Sequence, residues 1–161
     1  MRELLTTKSD PRGILRAPCK PVKTIGVKVK SVADDLTNYM YDHRGDEIPP
    51  ISIAAPQLGE SIRVIAFYMN YLYKEKDGIE VLVNPEIVKT RKFIIVTETC
   101  LSVKNKEYLV RRATAVKVKG LNLDSRHVSY KAAGLFAQAL QHEINHLDGV
   151  LVDKIGEPVR G

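Results

Sequence analysis

The sequence predicts an α+β fold, with antiparallel or mixed β-sheets packed around a C-terminal helix that carries a His-Glu-x-x-His motif. Three observations predict it. Apolar residues recur at helical spacing near the start, short β-branched runs fill the middle, and helical spacing returns from Ala132 to Leu147. Strands and helices do not alternate along the chain, which argues against a doubly wound α/β sheet. The length of 161 residues suits one domain spanning residues 1–161.

The elements follow in order. Ser9-Asp10-Pro11-Arg12 through Pro18-Cys19-Lys20-Pro21 is punctuated by proline and predicts an extended segment wrapped over the surface. Val29, Val32, Leu36, Tyr39 and Met40 form one apolar stripe, predicting an amphipathic helix over about Val29 to Tyr41 that stops before the turn-rich His43-Arg44-Gly45-Asp46. Arg63–Phe67, Val81–Pro85 and Phe93–Val96 each predict a short strand between turn residues. Ala115 to Gly120 alternates apolar with charged as a half-exposed strand, and Arg126 to Tyr130 is its expected hairpin partner across Asn122-Leu123-Asp124-Ser125.

Composition narrows the class. A 44% hydrophobic and 27% charged content excludes wholesale disorder, and no apolar run is long enough to span a bilayer. Lys and Arg total 25 against 19 Asp and Glu, a mildly basic balance that suits an anionic partner such as ribosomal RNA but equally suits a solvated surface. Two cysteines cannot form a disulfide framework and the first residues lack the apolar core of a secretory signal, so a cytoplasmic setting is expected.

Chemistry concentrates in Gln141-His142-Glu143-Ile144-Asn145-His146. Four residues make about one helical turn, so His142 and His146 share a face and their ring nitrogens can converge on one ion. Glu143 lies beside the first histidine, where a carboxylate can take a proton from water. Phe136, Leu140, Ile144 and Leu147 form the core stripe, and Leu135, Gln138, Ala139, His142 and His146 the stripe that would line a pocket. The remaining histidines, His43 and His127, fall in a turn and a hairpin without a partner at ligand spacing.

A hydrolytic metal site generally takes three protein ligands. Only fifteen residues follow His146, with Asp148, Asp153 and Glu157 as acidic candidates, which disfavours the arrangement of the familiar zinc peptidases. Upstream, Cys100 follows a buried-looking strand and would complete such a site as a thiolate. Lone cysteines are most often packing residues, and Cys19 is read that way.

With these residues in view, the chain resembles the peptide deformylase family. Pro50-Ile51-Ser52-Ile53-Ala54-Ala55-Pro56-Gln57 looks like the family's Gly-φ-Gly-φ-Ala-Ala-Pro-Gln, and Glu98-Thr99-Cys100-Leu101-Ser102 is similar to its Glu-Gly-Cys-Leu-Ser. Gln141 to Gly149 matches its Gln-His-Glu-x-Asp-His-Leu-x-Gly, and Asp10-Pro11-Arg12 to Pro21-Val22 looks like its opening segment. The resemblance implies removal of the N-formyl group from the N-terminal methionine of nascent polypeptides, releasing formate. It implies Cys100, His142 and His146 as metal ligands and Glu143 as general acid/base. Gln57, through its side chain, and Leu101, through its backbone N–H, would donate to the oxyanion. Ile51, Ser52, Ile53, Thr99, Leu135 and Gln138 would contact substrate. The ion implied is Fe2+ in the cell, with Zn2+, Ni2+ or Co2+ able to use the same ligands. A monomer is expected, meeting N-formylmethionyl nascent peptides and transiently the ribosome, and binding neither DNA nor membrane.

Four positions depart from the family pattern: Pro50 and Ser52 for glycines, Thr99 for the glycine before the cysteine, and Asn145 for an aspartate. Ser52 and Thr99 are expected to reshape the substrate groove. Asn145 removes a charge that Arg112 would otherwise meet. Gln138 is polar where an apolar wall for methionine is implied, unless its amide turns to solvent. The chain ends twelve residues after Gly149, without the basic C-terminal helix some bacterial members dock with, which weakens the ribosome expectation. The alternatives are a deformylase-like metal-binding protein with lost or altered activity and, behind it, a generic zinc peptidase.

Overall fold

The computed structural model describes residues 2–69 and 76–160. The first helix, α1, runs Val27–Asp42, two residues earlier and one later than the apolar spacing predicts. Its buried Val29, Val32, Ala33, Leu36 and Met40 recur every three or four positions, so one stripe faces inward. It lies on two strands, β1 (Ser52–Ala54) and β2 (Val64–Tyr68), which pair antiparallel.

Every residue of β2 is buried, because the strand has a helix on each face. Val64, Ala66 and Tyr68 pack toward α1, while Ile65 and Phe67 join the core beneath the last long helix. Two-sided burial explains why this run is continuously apolar rather than alternating.

Two long strands form the centre: β3 (Ile79–Cys100) and β4 (Val103–Leu121), joined by the tight turn at Leu101 and Ser102. The expected separate strands at Val81–Pro85 and Phe93–Val96 are thus one strand. The residues between the two runs read as turn residues in sequence, yet the strand continues through them, with register shifts between Val83 and Glu86 and between Ile87 and Lys89. A bulge needs no ladder hydrogen bond from every residue, so it tolerates Pro85. Asn84, at φ 51°, clamps the N-terminal segment instead, accepting from Val22 N at 2.8 Å and donating to Val22 O at 2.8 Å.

Strand β5 (His127–Ala133) pairs with β4 as expected, across a turn in which Asn122 Oδ1 accepts from Asp124 N and Arg126 N. Helix α2 (Gly134–Leu147) follows, then the short α3 (Val152–Ile155) and β6 (Glu157–Pro158), which pairs with β4. The sheet order is β1-β2-β3-β4-β5 with every strand pairing antiparallel. The α+β fold around the C-terminal His-Glu-x-x-His helix is therefore as predicted.

Helix α2 buries Ala137, Leu140, Ile144 and Leu147 against Ala113, Val116 and Val118 of β4 and Phe67 of β2. Gln141 fixes its height on the sheet, accepting from Ala113 N at 2.8 Å and donating to Ala113 O at 3.0 Å. Cys19 packs in the same core. The N-terminal segment wraps as expected but is not wholly extended. Asp10 accepts from the backbone of Ile14 and Leu15 at 2.9 Å each, forming a short 3-10 turn that buries Leu15.

Candidate active site

Strand alternation places Glu98 and Cys100 on the buried side of β3 and Thr99 on the open side. One turn of α2 brings His142 and His146 to meet them. Cys100 Sγ lies 3.3 Å from His146 Nε2, which lies 3.2 Å from His142 Nε2. The three ligand atoms all fall within 4.8 Å of one another. A sulfur and two imidazole nitrogens converging inside the protein suit one divalent transition-metal ion.

Behind the histidines lies a buried polar network that the sequence reading did not assemble. Glu98 accepts from Arg112 Nη2 at 2.6 Å and Nε at 2.9 Å, from Gln138 Nε2 at 3.2 Å, and from His142 Nδ1. Burial alone would raise the Glu98 carboxyl, but the hydrogen bonds from Arg112 and His142 outweigh it and hold it down to about 2. His142 feels the reverse balance. Burial disfavours its charge, while Cys100 and Glu98 raise it to about 10. His146 is pushed well below its ordinary value, by burial and then by the nearby His142 charge. With Nδ1 committed to Glu98, His142 presents Nε2 toward Cys100 and His146, as an outer carboxylate arranges for a metal-binding histidine.

The expected meeting of Asn145 and Arg112 is present: Arg112 Nη1 donates to Asn145 Oδ1. Arg112 consequently faces one carboxylate and one neutral amide. The Gln138 amide does not turn to solvent but donates to Glu98 and, at 3.3 Å, to Thr97 O. Glu98 was legible in one respect, since it stands two residues before Cys100 on a strand and must share its face.

Glu143 is buried beside the cavity. Ser52, at a position where the family pattern has glycine, donates from Oγ to Glu143 Oε1 at 2.6 Å. Oε2 has no protein partner among the described residues. Burial raises the Glu143 carboxyl, only partly countered by the His142 charge and the Ser52 bond. Gln57 is held in one orientation, with Oε1 accepting from Ala54 N at 3.0 Å and Nε2 donating to Ser102 Oγ at 3.2 Å. Ser102 in turn donates to Leu5 O, so the N-terminal segment braces this loop.

A cavity of 310 Å³ opens onto these groups. Ile51, Ser52, Gln57, Thr99, Cys100, Leu101, Leu135, Gln138, His142 and Glu143 all line it, while His146 is buried against Cys100 and His142 and is not part of its wall. Ile53 does not reach it. With Ser52 turned toward Glu143, alternation sends Ile53 to the opposite face, where it is fully buried against α1. A broader groove of 1280 Å³ continues past Thr99, Cys100 and Leu101 along the N-terminal segment and the start of β4.

A thiol and two helix-borne histidines beside a buried glutamate are a donor set that suits a metal-dependent hydrolase. Comparison with known proteins makes the class specific. The sequence profile of the polypeptide deformylase family matches residues 1–160. The peptide deformylase of Halothermothrix orenii is 41% identical over 147 residues, 91% of this chain and 88% of that one. That of Dictyoglomus thermophilum is 40% identical over 143 residues, 89% and 85% of the two chains. The solved peptide deformylase of Legionella pneumophila superposes with a TM-score of 0.84 at 34% identity, covering 96% of this chain and 85% of that one. The chain belongs to the polypeptide deformylase family, metal-dependent hydrolases that remove the N-formyl group of N-formylmethionyl nascent peptides.

Proposed function

We propose that Cys100, His142 and His146 hold one divalent ion, Fe2+ in the cell, and that Glu143 is the general acid/base of deformylation. The convergence of Cys100 Sγ with the two Nε2 atoms beside Glu143 carries this reading. Zn2+, Ni2+ or Co2+ fits the same donors. When bound, the ion supplies the Lewis acidity that lets water attack an amide carbon near neutral pH.

The chain's own residues do the rest. Ser52 fixes one Glu143 oxygen and leaves Oε2 without a protein partner among the described residues, to take the proton of the attacking water. The same carboxyl then delivers that proton to the departing amine as the formyl C–N bond breaks, giving formate and a free N-terminus. Gln57, with a second Nε2 hydrogen, and the Leu101 backbone N–H donate to the carbonyl oxygen as it gains charge. Each such donor is worth about 2.7–4 kcal/mol in the transition state. Ile51, Thr99, Leu135 and Gln138 hold the methionine, and residues 1–161 work as one catalytic domain.

A cytoplasmic monomer in transient contact with ribosomes belongs to the same reading. No helix among the described residues is long and apolar enough to cross a membrane. Beside the glycine replacements and Asn145, the Ser52–Glu143 bond favours the alternative, a metal-binding relative with altered activity, since it occupies half of the proton-transfer group.

Loading the protein with Fe2+ or Ni2+ without oxygen and supplying a formyl-methionyl peptide tests the choice. Formate release that requires the ion is expected. An ion-loaded protein that releases none is the altered-activity relative.

A further inference from the structure

The chain's net charge is not spread evenly. Residues 86–131 hold eleven Lys and Arg against four Asp and Glu, a surplus of seven, so the remainder of the chain is slightly acidic. Strand register gathers part of this surplus into a row. Lys89 on β3 stands directly opposite Lys117 on β4, and Lys117 directly opposite Lys131 on β5. Arg91 begins the neighbouring row, which continues as Ala115 and Ala133.

Like charges opposite one another destabilise a sheet, and neighbouring strands are only about 4.8 Å apart. Among the described residues these four cations have no carboxylate at ion-pair distance, whereas nearby Lys119 has Glu86 at 3.7 Å. They line a groove of 650 Å³ with no acidic residue in its wall and with Ala115 and Ala133 keeping its floor low. Val116, Val118 and Ala132 point into the core under α2, so by alternation Lys117 and Lys131 face away from the metal-ligand helix.

We infer that this lysine row is a docking site for the phosphate backbone of RNA. A phosphodiester chain offers regularly repeated negative charge to regularly repeated cations, and its binding would offset the cross-strand repulsion that the sheet otherwise carries. A second copy of this chain seated on the lysine row is disfavoured, because it would set Lys89, Arg91 and Lys92, on β3 beyond its pairing with β2, against their own kind. The choice of RNA rests on the deformylase reading, since nascent chains emerge from an RNA-rich particle. Docking through the face away from α2 leaves the cavity open to them.

The test titrates the full-length protein with a labelled oligouridylate of about twenty nucleotides, between about 50 and 200 mM KCl. With four phosphates neutralised, log K is expected to fall against log salt with a slope of about −2.8. In K89Q/K117Q/K131Q the slope is expected to shrink toward about −0.7, with affinity at the lowest salt down about tenfold or more. Formate release from a soluble formyl-methionyl peptide is expected to stay unchanged, which separates this inference from the reading of the active site. An unaltered slope and affinity in the triple variant overturn it. Tighter binding to polyglutamate of matched length also overturns it, in favour of an acidic polypeptide.

Discussion

Glu143→Gln is expected to lower formate release by about 10³-fold while the protein keeps its ion. General acid–base groups contribute about 10²–10⁴-fold, and here one carboxyl would act twice, first accepting the water proton and then returning it to the amine. Its position favours this use. Burial raises the carboxyl above its ordinary range, Ser52 anchors Oε1, and Oε2 is left without a protein partner among the described residues. The amide of glutamine keeps the shape and an acceptor for Ser52 but cannot take the proton. Stability is expected not to fall, because the variant removes a buried ionisable group rather than a packed one. Parallel metal analysis, thermal unfolding and formate release check the three outcomes together. A variant with near wild-type turnover would remove Glu143 from the mechanism.

Glu98→Ala is expected to give the largest loss of stability. Arg112 is only 4% exposed, and its guanidinium would lose its carboxylate partner while staying buried. Breaking a buried pair from one side costs about 3–5 kcal/mol. His142 would also lose the acceptor of its Nδ1–H, and loss of such an outer partner weakens metal binding about 10–100-fold. Urea unfolding and competition with a chelator measure the two effects.

Glu98 also sets an acid limit. Its carboxyl is held at about 2, below the ordinary 4.5, so the folded state binds this proton less readily than the unfolded chain. The resulting stability is fully present above about pH 4.5 and drains away as pH falls toward 2, a change on the order of 3 kcal/mol. In Glu98→Gln that part of the pH dependence is expected to disappear. Wild type and variant with parallel acid profiles would contradict it.

The helix at the centre of the site was readable because spacing alone decides it: two histidines four apart share a face whatever the sheet does. Cys100 was readable as a residue ending a strand, and the motif resemblance supplied its companions. The network behind them was not. Glu98 and Arg112 are fourteen residues apart, and they meet only because β3 pairs with β4, both side chains take the buried face, and the arginine reaches along it from its place opposite Ile94. The same dependence on register hid the lysine row. It also let two apolar runs stand as separate strands when bulges join them at Pro85 and beyond. Ile53 is a different kind of error. Ser52 turns to Glu143 and Ile53 to the opposite face of β1, and only packing against α1, which no local pattern announces, takes Ile53 out of the cavity wall.

The central claim is that one ion is held by Cys100, His142 and His146, and cobalt substitution measures it most directly. Titration of the protein with Co2+ is expected to saturate at one ion per chain and to produce a thiolate-to-cobalt charge-transfer band that vanishes in Cys100→Ser. Saturation without that band, or an identical band in Cys100→Ser, would contradict the account.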